Sequence, residues 1–261
     1  MKNKTENKFF IAVDVGNSRA SFALFNRTKI LRRVDVIENK VNKKAISKIL
    51  KDWNNLSNTS LKEAVVSDVN PDTTEKLKSI LKTFGMKIIN VRSIADKKIF
   101  KKYLSFKKLG EDRIANTYYL LKEINKPSAI IDVGTTINID VFDGEYYKGG
   151  YIISGLFMEL IAIQSIAKGT RTKNNISFNQ NKTKPGNSTE MCLENGIVLS
   201  KVAFIEKAIK EIKKSLKKND LAVILTGGGV KLLRFLKIFD KVELDATLKG
   251  IAALYVMKER K

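Results

Sequence analysis

A strand that ends in Asp-x-Gly and leads into two further strands occurs twice in this chain, and that repeat constrains the fold more than any other feature. The first copy reads FFIAVDV at 9–15, turns at Gly16-Asn17-Ser18, and continues through ASFALF at 20–25 and KILRRVDVI at 29–37. The second reads SAIIDVG at 128–134 and continues through INIDVF at 137–142 and YYKGGYII at 146–153. Asp14 and Asp132 stand 118 positions apart (132 − 14). Two such meanders, each accompanied by helical segments, predict an α/β fold of two related lobes. Each lobe is expected to hold a mixed sheet flanked by helices and to offer one turn to a cleft between them. The boundary is expected at 111/112, giving lobes of 1–111 and 112–261.

The remaining segments fit that plan. Helices are expected near 43–53, from Pro71 to about 83 with Asn70 as cap, over 112–124, from Gly155 to about Lys168, from Ser188 to Leu216, and over about 248–259. EAVVSDV at 63–69, MKIINV at 86–91 and LAVILTGGG at 221–229 read as further strands. Residues 169–187 are polar and aperiodic, the mark of a functional or mobile loop.

Composition narrows the chemistry. The chain of 261 residues contains no histidine and one cysteine. Catalysis by a histidine base is excluded, and so is a zinc site built from imidazoles or four thiolates. Cys192 reads as a small buried apolar residue. A catalytic base must then be Asp or Glu, with Lys or Tyr as weaker choices, and any metal would be hard and oxygen-bound. The net charge is +22, but the basic residues are spread along the whole chain and Lys far outnumbers Arg. That pattern fits codon bias better than a nucleic-acid interface, so no nucleic-acid partner is expected. The apolar run FFIAV stops at Asp14, too short for a signal-peptide core. The stretch from Tyr151 to Ala167 carries Glu159 and is short of a membrane span. A cytoplasmic protein is expected.

Three glycine turns and one acidic helix start carry the candidate chemistry. In Asp14-Val15-Gly16-Asn17-Ser18, a carboxylate at a strand end can hold a hydrated Mg²⁺, and the turn can donate N–H groups to phosphate oxygens. The same residues also suit a plain hairpin turn. Asp132-Val133-Gly134-Thr135-Thr136 repeats the logic, and two equivalent turns favour a phosphate clamp. Thr226-Gly227-Gly228-Gly229 ends a strand with bare backbone against which an adenine or ribose could pack; it could equally be a helix entry. Neither G-x-x-x-x-G-K-[ST] nor G-x-G-x-x-G is present, which disfavours P-loop and Rossmann sites. Gly110-Glu111-Asp112-Arg113 opens a helix, where backbone N–H groups can keep Asp112 ionised to accept a hydroxyl proton. Arg113 can grip an anion; taken alone, the segment also suits an ordinary helix start with an acidic first turn and an exposed Arg.

Taken in order, Asp14-x-Gly16-Asn17-Ser18, Gly110-x-Asp112-Arg113 and Asp132-x-Gly134-Thr135 resemble the type III pantothenate kinases of the actin-like ATPase (ribonuclease H-like) superfamily. Tyr103 seven residues before Gly110, Gly149-Gly150-x-Ile152-x-x-Gly155, and Thr189 seven residues before Gly196 also match that family. The resemblance implies transfer of the γ-phosphoryl group of ATP to the primary hydroxyl of pantothenate, the first step towards coenzyme A. It implies Asp112 as proton acceptor. ATP would be bound by Asp14, Val15, Gly16, Asn17, Ser18, Arg19, Ala20 and Ser21 together with Thr135. Pantothenate would be held by Tyr103, Gly110, Glu111, Arg113 and Thr189. Asp132 would be a ligand of a monovalent cation, K⁺ or NH₄⁺, alongside the Mg²⁺ that accompanies ATP. A homodimer is also implied. The chain departs from the family pattern at Phe106, Asn138, Ser154 and Arg171, which bears on the acceptor side and the polar loop. Two other readings are a non-catalytic relative acting as a regulatory or transcriptional accessory protein, and a kinase for another small hydroxyl compound.

Overall fold

The computed structural model describes residues 7–170, 178 and 184–259. They form two compact units, one of residues up to Glu123 together with those from Ala246 onward, the other of Ile124–Asp245.

In the first unit β1 (Phe9–Val15), β2 (Arg19–Asn26) and β3 (Lys29–Ile37) form the antiparallel meander. After α1 (Lys43–Ser57) comes β4 (Glu63–Asp68), then α2 (Pro71–Thr83) and β5 (Lys87–Asn90). β4 lies parallel to β1 and β5 parallel to β4, so the sheet order is β3-β2-β1-β4-β5. Alternation divides the strands between two faces. Ile11, Val13, Phe22, Leu24 and Val66 pack on Ile46, Leu50 and Trp53 of α1 and Leu77 and Leu81 of α2. Phe10 faces the other way, its ring 4.4 Å from that of Tyr255. α2 begins where its sequence signals place it: the Asn70 side chain accepts from Thr73 N–H at 3.2 Å, and Pro71 needs no donor there.

The opposite face carries α3 (Val91–Ile94), α4 (Glu111–Tyr119) and the late helix α8 (Ala246–Lys258). α4 and α8 meet closely. A Cβ on Gly250 would collide with the backbone of Ala115, and Thr247 Oγ1 donates to Asn116 Oδ1 at 2.9 Å. This packing explains why the division falls after Glu123 and not at 111/112, and why residues 246–259 rejoin the first unit. The helix expected over 112–124 is α-helical only to Tyr119 and widens to a π-helix over Leu120–Ile124.

The second unit repeats the sheet. β6 (Ser128–Val133), β7 (Thr136–Phe142) and β8 (Tyr147–Ser154) form its meander. Then follow α5 (Leu156–Ile166), α6 (Thr189–Leu216), β9 (Ala222–Thr226), α7 (Val230–Leu233) and the two-residue β10 (Lys241–Val242). The order is β8-β7-β6-β9-β10, strand for strand that of the first sheet. Its core joins Ile131, Val133, Ile137 and Ile139 to Leu156 and Leu160 of α5 and to Ile197, Val198 and Ile205 of α6. The Ser188 side chain caps α6 by accepting from Met191 N–H. Most of the loop expected over 169–187 lies outside the described residues, as does Arg171. Cys192 is exposed, against the sequence expectation. It sits in the first turn of α6, ahead of the turns whose apolar side chains enter the core.

Candidate active site

In the first unit the predicted residues gather at the carboxyl ends of two parallel strands, β1 and β4, where Val15 is registered with Asp68. Open α/β sheets place ligands beyond such strand ends. The turn after β1 occupies residues 16–19 and is closed by Gly16 N–H donating to Arg19 O at 3.0 Å. Its outer side is tied down by Glu38 N–H on Ser18 O, and Val69 N–H donates to Val15 O, each at 3.1 Å. Asn17, Ser18 and Arg19 are exposed, while Asp14 and Gly16 are half-buried. Ala20 and Ser21 are buried on β2, where Ser21 is registered with Asp14. The eight residues expected to bind ATP are thus one continuous turn with its two strand stems.

Beside it α4 starts with two acidic residues in different surroundings. Glu111 is buried, and its carboxylate accepts from Asp68 N–H at 3.2 Å and from Arg92 N–H at 3.3 Å. Arg92 Nε lies 3.6 Å from the same carboxylate. Glu111 therefore ties the start of α4 to β4 and α3. Burial pushes its carboxyl upward, with Arg92 opposing. Asp112 is half-buried; its Oδ1 accepts from Arg113 N–H at 2.8 Å. Burial pushes its proton affinity above the usual aspartate range, and the Arg113 N–H and guanidinium only partly offset this. The backbone at the helix start therefore does less to hold Asp112 ionised than the sequence suggests. The bare backbone of Gly110 leaves room for the Asp112 carboxylate: a Cβ there would meet Asp112 Oδ1 and push it aside. Arg113 is itself buried. Tyr103 is half-buried, in the segment before Gly110, with its N–H on Phe100 O at 2.9 Å.

Sequence reasoning missed Arg92. Its guanidinium donates to the carbonyls of Phe106 at 2.6 Å and Leu109 at 2.5 Å, and lies over the Phe106 ring at 5.7 Å. One forked side chain thereby holds the strap that delivers Gly110 and Asp112. Phe106, a departure from the family pattern, supplies both a carbonyl and a ring to that grip.

In the second unit the equivalent turn occupies residues 134–136, one residue shorter than the first. Gly134 N–H donates to Thr136 O at 2.9 Å. Thr135 is exposed at its tip, and Thr135 O accepts from Gly155 N–H at 2.9 Å. Asp132 is registered with Asn138 on one side and Thr226 on the other. The glycine triplet makes room for β6: a Cβ on Gly227 would strike Asp132 Oδ1 and the Val133 backbone, and one on Gly229 would strike the Val133 side chain. Thr189 stands elsewhere in this unit, exposed at the first position of α6. There it lines a cavity of about 650 Å³ with Thr170, Gly186, Asn187, Ser188, Cys192 and Leu193. Among the described residues no group of three or more Cys, Asp or Glu side chains is assembled to hold a metal ion, and no helix is long and apolar enough to cross a membrane.

Comparison with known proteins identifies the family. A family model described as type III pantothenate kinase matches residues 10–211. The type III pantothenate kinase of Finegoldia magna is 25% identical over 253 residues, covering 92% of this chain and 94% of that protein. Among solved structures, a Campylobacter jejuni protein whose description places it in the Baf family of transcriptional activators superposes with a TM-score of 0.60 at 19% identity, over 96% of this chain and 98% of that one. A ROK hexokinase from Thermus thermophilus gives 0.55 at 12% identity, over 97% and 100%. These two likenesses show the fold: two related five-stranded mixed sheets flanked by helices.

Proposed function

This chain belongs to the type III pantothenate kinase family and phosphorylates pantothenate with ATP, the entry to coenzyme A synthesis, and from that premise we propose how its residues divide the work. The family match favours this activity over a regulatory accessory role and over another small hydroxyl substrate.

The observation that carries the mechanism is the contrast between Glu111 and Asp112. Glu111 is committed to the amides of Asp68 and Arg92 and to the Arg92 guanidinium, which makes it a positioning residue for the helix start, whereas Asp112 has raised proton affinity and accepts from the Arg113 N–H at the helix start. Asp112 accepts the proton of the pantothenate primary hydroxyl as its oxygen attacks the γ-phosphorus of ATP. The bond to the bridging oxygen breaks and ADP leaves. Such transfer needs positioning and charge neutralisation more than covalent chemistry, so the lack of histidine is no obstacle. Asp14 to Ser21 in the first unit bind ATP phosphates through the turn's N–H groups and hydroxyls, and Thr135 in the second unit does the same. Tyr103, Gly110, Arg113 and Thr189 take pantothenate, with Arg113 pairing with its carboxylate.

Single carboxylates among neutral oxygens suit weakly held or hydrated ions. Asp14 at its strand end fits the Mg²⁺ that travels with ATP, and Mg²⁺ neutralises phosphate charge when bound. Asp132, with bare glycine backbone against its Oδ1 and Asn138 and Thr226 as neighbours, fits a monovalent cation. A homodimer in the cytoplasm completes the reading. It is supported by the edge strand β8, which exposes Tyr151 and Ile152, and by Phe157, Met158 and Ile161 exposed on α5.

The test is ATP-dependent phosphorylation of pantothenate by the purified protein with Mg²⁺, with and without K⁺. Turnover that rises with K⁺ in the wild type but not in Asp132→Ala is the expected result. Turnover indifferent to K⁺ removes Asp132 from a cation site.

A further inference from the structure

Lys201 lies in the middle of α6 and is only 4% exposed. A buried ammonium is costly unless it is paired and hydrogen-bonded. Its Nζ donates to Ser154 Oγ at 3.0 Å and pairs closely with Glu159, and Ser154 Oγ donates to Glu159 Oε2 at 2.8 Å. The three side chains come from the last residue of β8, the first half of α5 and the middle of α6. Burial pushes the Glu159 carboxyl upward, but the bonds from Lys201 and Ser154 outweigh it and hold it below the usual range.

The corner that this triad grips is the one behind the second glycine turn. Gly155 stands between Ser154 and α5; its N–H donates to Thr135 O at 2.9 Å, and its carbonyl accepts from Glu159 N–H at 3.0 Å. A Cβ on Gly155 would collide with the carbonyl oxygens of Gly134 and Thr135. Ser154 is registered directly across from Thr136. The turn therefore rests on backbone whose position is set by Lys201, Glu159 and Ser154.

We infer that Lys201 is a positioning residue for ATP binding, acting through Ser154 and Glu159 on the β8–α5 corner that supports the Gly134–Thr136 turn. This rests on the reading of Thr135 as a phosphate-binding residue.

Steady-state kinetics of the full-length enzyme tests it, with ATP and pantothenate varied separately. Lys201→Met is expected to raise KM for ATP about tenfold, leaving kcat and KM for pantothenate within about twofold. A purely structural role would reduce the folded fraction, which lowers apparent kcat and moves neither KM. Ser154→Ala keeps the Lys201–Glu159 pair and is expected to raise KM for ATP about threefold; it carries the comparison if Lys201→Met fails to fold. Thr135→Ala is the control. If it raises KM for ATP while Lys201→Met, or Ser154→Ala in its place, does not, the positioning role is overturned. If Thr135→Ala leaves KM for ATP unchanged, the phosphate role of the turn fails, and this inference fails with it.

Discussion

Asp112 and Glu111 are adjacent acids at one helix start, and only their partners separate them. A base must be ionised to accept a proton, and a raised proton affinity makes it a better acceptor once ionised. Because burial raises the folded-state pKa of Asp112, the acid limb of kcat/KM against pH is expected above the ordinary aspartate range. The sign for stability follows from the same shift. The contribution is fully present below the unfolded pKa and is lost as pH rises through the folded one, so the ionised carboxylate destabilises the fold at neutral pH. Asp112→Asn should then lower turnover by about 10²–10⁴-fold while leaving the melting temperature equal or higher. Turnover near wild type, or a clear loss of thermal stability, would remove this account of Asp112.

Among the elements, the least conspicuous one has the widest reach. α3 has four residues, yet its Arg92 holds the carbonyls of Phe106 and Leu109 and pairs with buried Glu111. Arg92→Lys keeps the charge but loses the fork. It is expected to cost about 2 kcal/mol in urea unfolding and to depress kcat by about tenfold through a displaced Asp112; unchanged kcat would show that the strap holds its place without Arg92. The sequence reveals α2 almost to the residue because Asn70 and Pro71 are local signals, and the paired Asp-x-Gly turns because each ends a short, near-continuous apolar strand. Arg92 and Lys201 are not legible in that way. Arg92 sits in a segment too short for periodicity, and its partners lie 14 to 19 positions away. Lys201 looks like any lysine of a long helix until α5 and β8, 42 and 47 positions earlier, are folded against it. Cys192 misleads for the converse reason: its residue type favours burial, but its place in the first turn of α6 leaves it exposed.

For the whole molecule, the apolar surface on β8 and α5 is where a second copy is expected to dock. An edge strand with exposed apolar side chains invites pairing unless something covers it. Sedimentation of the wild type should give a dimer, and Ile161→Lys, at a site 67% exposed, should shift it towards monomer; a monomeric wild type would end the homodimer reading. The three-strand meander common to the two sheets was legible from the repeat, but the full strand order and the return of α8 to the first unit were not; the latter depends on Gly250 meeting Ala115 and Thr247 meeting Asn116. That return has a consequence for how the protein is made. Translation delivers β1 to α4 early, but the helix that covers Phe10 and α4 leaves the ribosome only after the whole of Ile124–Asp245 has been synthesised. The second unit, being contiguous, can finish folding on the nascent chain, while the first must wait with an apolar face uncovered. The usual amino-terminal-first order of co-translational folding is thereby reversed.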